Sequence, residues 1–109
     1  MKAVLFHTHG GIESVQLEDI PEPECKPNKV KINIKASSIN RLDIWVRNGL
    51  PGINIPLPMI LGSDGAGIIV ETGADVCDWK PGDEVVIQPG TFCGECPNCI
   101  AGNENYCHQ

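Results

Sequence analysis

The sequence is short of positive charge: eight Lys and Arg stand against fourteen Asp and Glu, a net charge of -6 over 109 residues. A nucleic-acid partner needs a basic face to displace counterions, so none is expected. Long apolar runs are also missing. No stretch approaches the roughly 20 residues of a membrane span, and the opening MKAVLFHTHGG, broken by His7 and His9, is too short in apolar length for a secretory signal. Internal repeats, low-complexity tracts and a G-x-G-x-x-G phosphate loop are absent as well. What remains is a one-domain chain expected to be cytoplasmic, with a core of useful size but too short for a two-domain enzyme. In that compartment thiols stay reduced, and close cysteines are more often metal ligands than disulfides.

Most of the chain reads as strand. KVKINIKA, residues 29–36, alternates strictly, with Val30, Ile32, Ile34 and Ala36 on one face and Lys29, Lys31, Asn33 and Lys35 on the other, which predicts a half-buried strand. Shorter strands are predicted over 2–6, 14–19, 66–71 and 84–88, separated by Gly and Pro clusters. One brief helix is predicted over 41–47, closed by Gly49. Many short strands and a single helix imply a mainly β fold, a small partly open barrel.

Four of the six cysteines fall together in FCGECPNCIAGNENYCH. Cys93, Cys96, Cys99 and Cys107 make C-x2-C-x2-C-x7-C, with Gly90, Gly94, Pro97 and Gly102 supplying tight turns. Four thiolates around one Zn²⁺ at about 2.3 Å form a closed structural site. The bacterial iron–sulfur run opens in the same way but continues with x3 and Cys-Pro, whereas here the gap is seven and His108 follows. The spacing therefore favours one structural zinc per chain, with iron–sulfur and disulfide chemistry as the rivals. Cys25 and Cys77 stand alone and read as small apolar side chains.

A second glycine-rich stretch, LGSDGAGIIVETG from Leu61 to Gly73, is spaced G-x-x-G-x-G and lacks a flanking βαβ unit. Glycines leading into a strand are expected to permit a bulge or the close approach of another backbone.

In order and spacing, MKAVLFH, ASSINRLDIWVRNGLPG, PMILGSDGAGIIVETG, KPGDEVVI and the four-cysteine lobe resemble the medium-chain dehydrogenases and reductases, which include zinc alcohol dehydrogenases and quinone oxidoreductases. The resemblance implies that residues 1–109 are a GroES-like catalytic-domain fragment, with a zinc lobe from about residue 90, followed in the family by a Rossmann domain for NAD or NADP that this sequence does not contain. It implies hydride transfer to or from a small carbonyl, enone, quinone or alcohol, and a homo-oligomer as the full-length form. The 109-residue piece alone is expected to be inactive.

Site residues carry over position by position. Zinc alcohol dehydrogenases begin the helix with a Cys that binds catalytic zinc, then a His or Arg near the cofactor pyrophosphate, a Ser or Thr that relays the alcohol proton, and an Asp. Here these positions hold Asn40, Arg41, Leu42 and Asp43. The family's Gly-His-Glu is Gly62, Ser63 and Asp64. Both metal ligands of this half are thus replaced, as in the zinc-independent quinone oxidoreductases. The resemblance assigns Asn40, Asp43, Ser63 and Asp64 to catalysis and Arg41 to the cofactor. Each residue also has a plain reading: Asn40 as a helix cap, Asp43 as first-turn charge, Asp64 as a turn residue and Arg41 as a solvated side chain. The rival function is a stand-alone zinc-knuckle binding module.

Overall fold

Strand β1 (Lys2–Phe6) lies at the centre of the first sheet in the computed structural model, which describes residues 1–108. Its alternating apolar side chains bury Ala3, Leu5 and Phe6, the last completely. β2 (Val15–Asp19) pairs antiparallel along its whole length, from Lys2 opposite Asp19 to Phe6 opposite Val15. The two-residue β4 (Met59–Ile60) pairs antiparallel along the other edge, giving the order β2-β1-β4.

The second sheet has the order β3-β5-β6, from Val30–Ala36, Ala66–Thr72 and Glu84–Val86, all antiparallel. Ile69 of the central β5 is its buried anchor. Beyond the paired residues, Ile69 N–H donates to Asp83 O at 2.9 Å and Ile87 N–H to Gly65 O at 2.8 Å. The expected strict alternation of β3 is not expressed as burial. Val30 and Ile32 are half-buried, but Ile34 and Ala36 are exposed. Irregular register between Lys31 and Ile32 and between Ile34 and Ala36 breaks the two-residue period. Ile34 borders an open cleft of about 770 Å³ together with Val4, Ile60 and Val70, residues drawn from both sheets, so the sheets face one another without closing into a barrel.

The glycine-rich stretch behaves as expected of a close approach. A Cβ on Gly67 would run into the Asn33 carbonyl, and one on Gly73 into the carbonyls of Lys26 and Pro27. Gly73 N–H donates to Lys29 O at 2.8 Å, which seals the start of β3 against the end of β5.

Helix α1 (Arg41–Asn48) runs one residue past the predicted end and stops at Gly49, whose φ of 89° is a conformation that glycine adopts freely. None of its residues is buried. Its attachment is polar: Arg47 O accepts from Gly10 N–H at 3.2 Å, and Arg47 Nε donates back to Gly10 O at 3.1 Å. A second helix, α2 (Pro97–Ile100), was not predicted and lies within the cysteine lobe. No helix among the described residues is long and apolar enough to cross a membrane.

Candidate functional site

Each cysteine of the lobe is delivered by a local turn. Cys96 is the N-cap of α2 and Pro97 its first residue, a position where the missing N–H of proline costs nothing. Cys99 follows within the helix and is buried; Cys107 comes just after a 3-10 turn at Glu104–Tyr106. Gly94 (φ 79°) and Gly102 (φ 77°) take left-handed bends that side chains resist. Asn98, which the sequence reading passed over, ties the two turns together by donating from Nδ2 to Tyr106 O at 2.7 Å.

The result is a tight cluster. The Sγ atoms of Cys93, Cys96, Cys99 and Cys107 all lie within 4.8 Å of one another. The Cys93–Cys99 and Cys96–Cys99 sulfur separations are 3.9 and 3.4 Å. A tetrahedron with metal–sulfur bonds of about 2.3 Å has edges of about 3.8 Å, so one ion fits, whereas a disulfide needs about 2.05 Å. A cluster of several irons would hold its thiolates farther apart than these are. Cys96 N–H points at Cys93 Sγ (3.3 Å) and Cys93 N–H at Cys107 Sγ (3.4 Å), so backbone donors hold two of the sulfurs in place. The Cys99 N–H and neighbouring donors bring the Cys96 thiol down to about 6, while burial pushes Cys99 up to about 12. Metal binding must therefore displace protons.

A second cluster forms where α1 begins. Asn40 is the N-cap of α1 and pairs with Asp43 in a capping box, Asp43 Oδ2 accepting from Asn40 N–H at 2.7 Å. The chain after β4 brings Ser63 and Asp64 alongside. Asn40 Nδ2 donates to Asp64 Oδ2 at 3.0 Å and approaches Ser63 Oγ at 3.4 Å. Ser38 closes the arrangement, with its Oγ–H on Asp64 Oδ2 at 2.7 Å and its N–H on Asp64 Oδ1 at 3.3 Å. Hydrogen bonds from Ser38, then from Asn40, hold the Asp64 carboxyl below its usual value. Asn40, Asp43, Ser63 and Asp64 are thus brought together, and Ser38 is the member the sequence reading missed. Arg41 begins the helix, is exposed and takes no part in the cluster.

The described residues thus combine two facing three-stranded sheets, a capped helix and a four-thiol lobe. The chain belongs to the alcohol dehydrogenase GroES-like domain family, which matches residues 26–109. That match starts far upstream of the cysteines, so the chain is more than a zinc knuckle. Along 106 residues it is 36% identical to an alcohol dehydrogenase of Schizosaccharomyces pombe, covering 96% of this chain and 30% of that protein. It is 35% identical to a probable D-xylulose reductase A of Aspergillus terreus over 102 residues, 91% of this chain and 29% of the relative. The chain therefore spans about 30% of the length of these relatives. Among solved structures, an NAD-dependent alcohol dehydrogenase superposes with a TM-score of 0.92 at 44% identity, covering all of this chain and 32% of that one. The NADPH complex of Escherichia coli quinone oxidoreductase gives 0.73 at 35% identity, covering 79% of this chain and 26% of that one. A cobalt- and zinc-bound alcohol dehydrogenase from Pyrobaculum aerophilum gives 0.90 at 34% identity, covering 99% and 32%.

Proposed function

We propose that this chain is the GroES-like part, residues 1–109, of an NAD(P)-dependent oxidoreductase that reduces or oxidises a small carbonyl compound, enone, quinone or alcohol. The observation that carries the reading is the Asn40–Ser63–Asp64 cluster, at positions that the family resemblance aligns with the metal ligands of zinc alcohol dehydrogenases. Asn40 and Ser63 are poor zinc ligands, but they are hydrogen-bond donors. Both hydrogens of Asn40 Nδ2 are directed within the cluster, toward Asp64 and Ser63. Ser63 Oγ is an acceptor in that contact, so its own hydrogen is left to point at a substrate oxygen. A nicotinamide cofactor supplies the hydride when bound. The Ser63 hydroxyl stabilises charge growing on the substrate oxygen, with Asn40 and Asp64 holding the hydroxyl in place. Asp43 fixes the start of α1, and Arg41, exposed at the same helix end, is the group on this chain to meet a cofactor phosphate.

Cys93, Cys96, Cys99 and Cys107 would hold one structural Zn²⁺, which organises the lobe and takes no part in the chemistry. The complete protein is read as a cytoplasmic homo-oligomer acting on a small molecule. The test is a metal count and substrate survey on the complete enzyme. One zinc per subunit, and NAD(P)H-dependent reduction of quinones, enones or reactive aldehydes in preference to ethanol oxidation, is the expected result. Two zincs per subunit, with ethanol oxidation lost when the second is removed, overturns the reading.

A further inference from the structure

Ser38 lies in the loop between β3 and α1 and makes two hydrogen bonds to one carboxylate 26 residues away, through its Oγ–H and its N–H. Two donors from one residue restrict both the position and the rotation of the Asp64 carboxylate. Asp64 Oδ2, which accepts the Ser38 hydroxyl, is the same oxygen that accepts from Asn40 Nδ2. A carboxylate oxygen only accepts, so it can face the amide nitrogen of Asn40 but repels the amide oxygen. The carboxylate therefore favours the amide nitrogen on its side, and the capping box, in which the Asn40 side chain also accepts from the Asp43 backbone N–H, favours the same orientation. With the nitrogen turned toward Asp64, its second hydrogen faces Ser63 Oγ.

We propose that Ser38 is a positioning residue: it fixes the Asp64 carboxylate, which helps set the orientation of the Asn40 amide and through it directs the Ser63 hydroxyl toward the reacting oxygen. The inference rests on the oxidoreductase reading above. In this arrangement Ser38 acts through Asp64 and Asn40. The other charged groups at this end of the helix are Asp43, whose carboxylate accepts from the Asn40 backbone N–H while its own N–H donates to the Asn40 side chain, and Arg41, which is exposed at the helix start.

The experiment compares the complete enzyme with its S38A and S38T variants, each checked for thermal unfolding midpoint and zinc content. Loss of a hydrogen bond to a charged group that acts on the transition state should lower kcat by about tenfold in S38A with little change in KM. S38T keeps a hydroxyl at this position and should recover most of the rate. The acid limb of the kcat profile should move to higher pH in S38A, because Asp64 loses its principal donor. In protein labelled with ¹⁵N-asparagine, the Asn40 side-chain amide resonances should shift in S38A and return in S38T. If S38A and the parent enzyme share the same kcat and pH profile, the proposal is overturned. It is equally overturned if S38T is as impaired as S38A while the amide resonances stay fixed. A parent enzyme that transfers no hydride to any of the surveyed substrates would remove the functional reading itself, and this inference with it; the unsubstituted control separates that failure from the others.

Discussion

Asn40 Nδ2 lies 3.0 Å from Asp64 Oδ2, joining the cap of α1 to a residue 24 positions later. The contact makes helix capping and site building the same event. The residue that starts α1 is also the residue that holds Asp64 and Ser63 beside it. The alternatives of cap and site for Asn40 are therefore not exclusive: its backbone N–H and its side chain close the capping box with Asp43, and its side-chain nitrogen serves the cluster.

The pH dependence of stability follows from Asp64. Its carboxyl is held below the ordinary value of 3.8 by Ser38 and then Asn40. A depressed folded-state value means stability that is present above the unfolded value and disappears as pH falls through the folded one. Urea unfolding should accordingly show D64N less stable than the parent chain at pH 7, with the gap narrowing as pH drops below 3.8. A gap that stays constant down to the acid range would show that Asp64 does not titrate as its hydrogen bonds require.

One metal ion per chain is expected in the cysteine lobe. Four thiolates can contribute about 10–16 kcal/mol of apparent zinc affinity in small zinc peptides, and the lobe has little else to hold it. Phe92, Ile100 and Tyr106 are all exposed, and Cys99 is its one buried apolar residue. Chelation should disorder residues from about 90 onward while amides of β1 and β5 keep their hydrogen-exchange protection. Protein prepared without chelator and free of zinc by elemental analysis would contradict this.

Gly73→Ala should destabilise the chain by about 1–3 kcal/mol, the usual cost of forcing extra volume into a packed position. The added methyl meets two backbone carbonyls, at Lys26 and Pro27, which cannot swing away as a flexible side chain would. Gly90→Ala is the matching control, since nothing lies within 4 Å of a Cβ there. Equal denaturant midpoints for the two variants would refute the close approach.

The 109-residue chain on its own should bind NADH and NADPH no more tightly than millimolar. Among the described residues there is no βαβ unit to cradle a dinucleotide, and exposed Arg41 offers a single phosphate contact. Calorimetric titration checks this, and saturation in the micromolar range would overturn it.

The sequence by itself determined the elements whose signals are local. Short apolar runs set off by Gly and Pro clusters placed β1 and β5 within a residue, and Gly49 marked the end of α1 within one position. The four-cysteine spacing was legible because every turn of the lobe lies within fifteen residues of chain, Cys93 to Cys107. β4 has two residues and exists only because β1 offers a free edge, so it carried no period of its own. The exposure of Ile34 depends on register shifts against β5, which β3 does not encode alone. Ser38 is one small polar residue in a loop, and nothing nearby in sequence distinguishes it from Ser37. Only the fold, by returning the chain after β4 to the start of α1, brings Asp64 within 2.7 Å of its hydroxyl and gives it a partner. A hydrogen bond of that kind depends on distance in space, and short-range patterning carries no information about it.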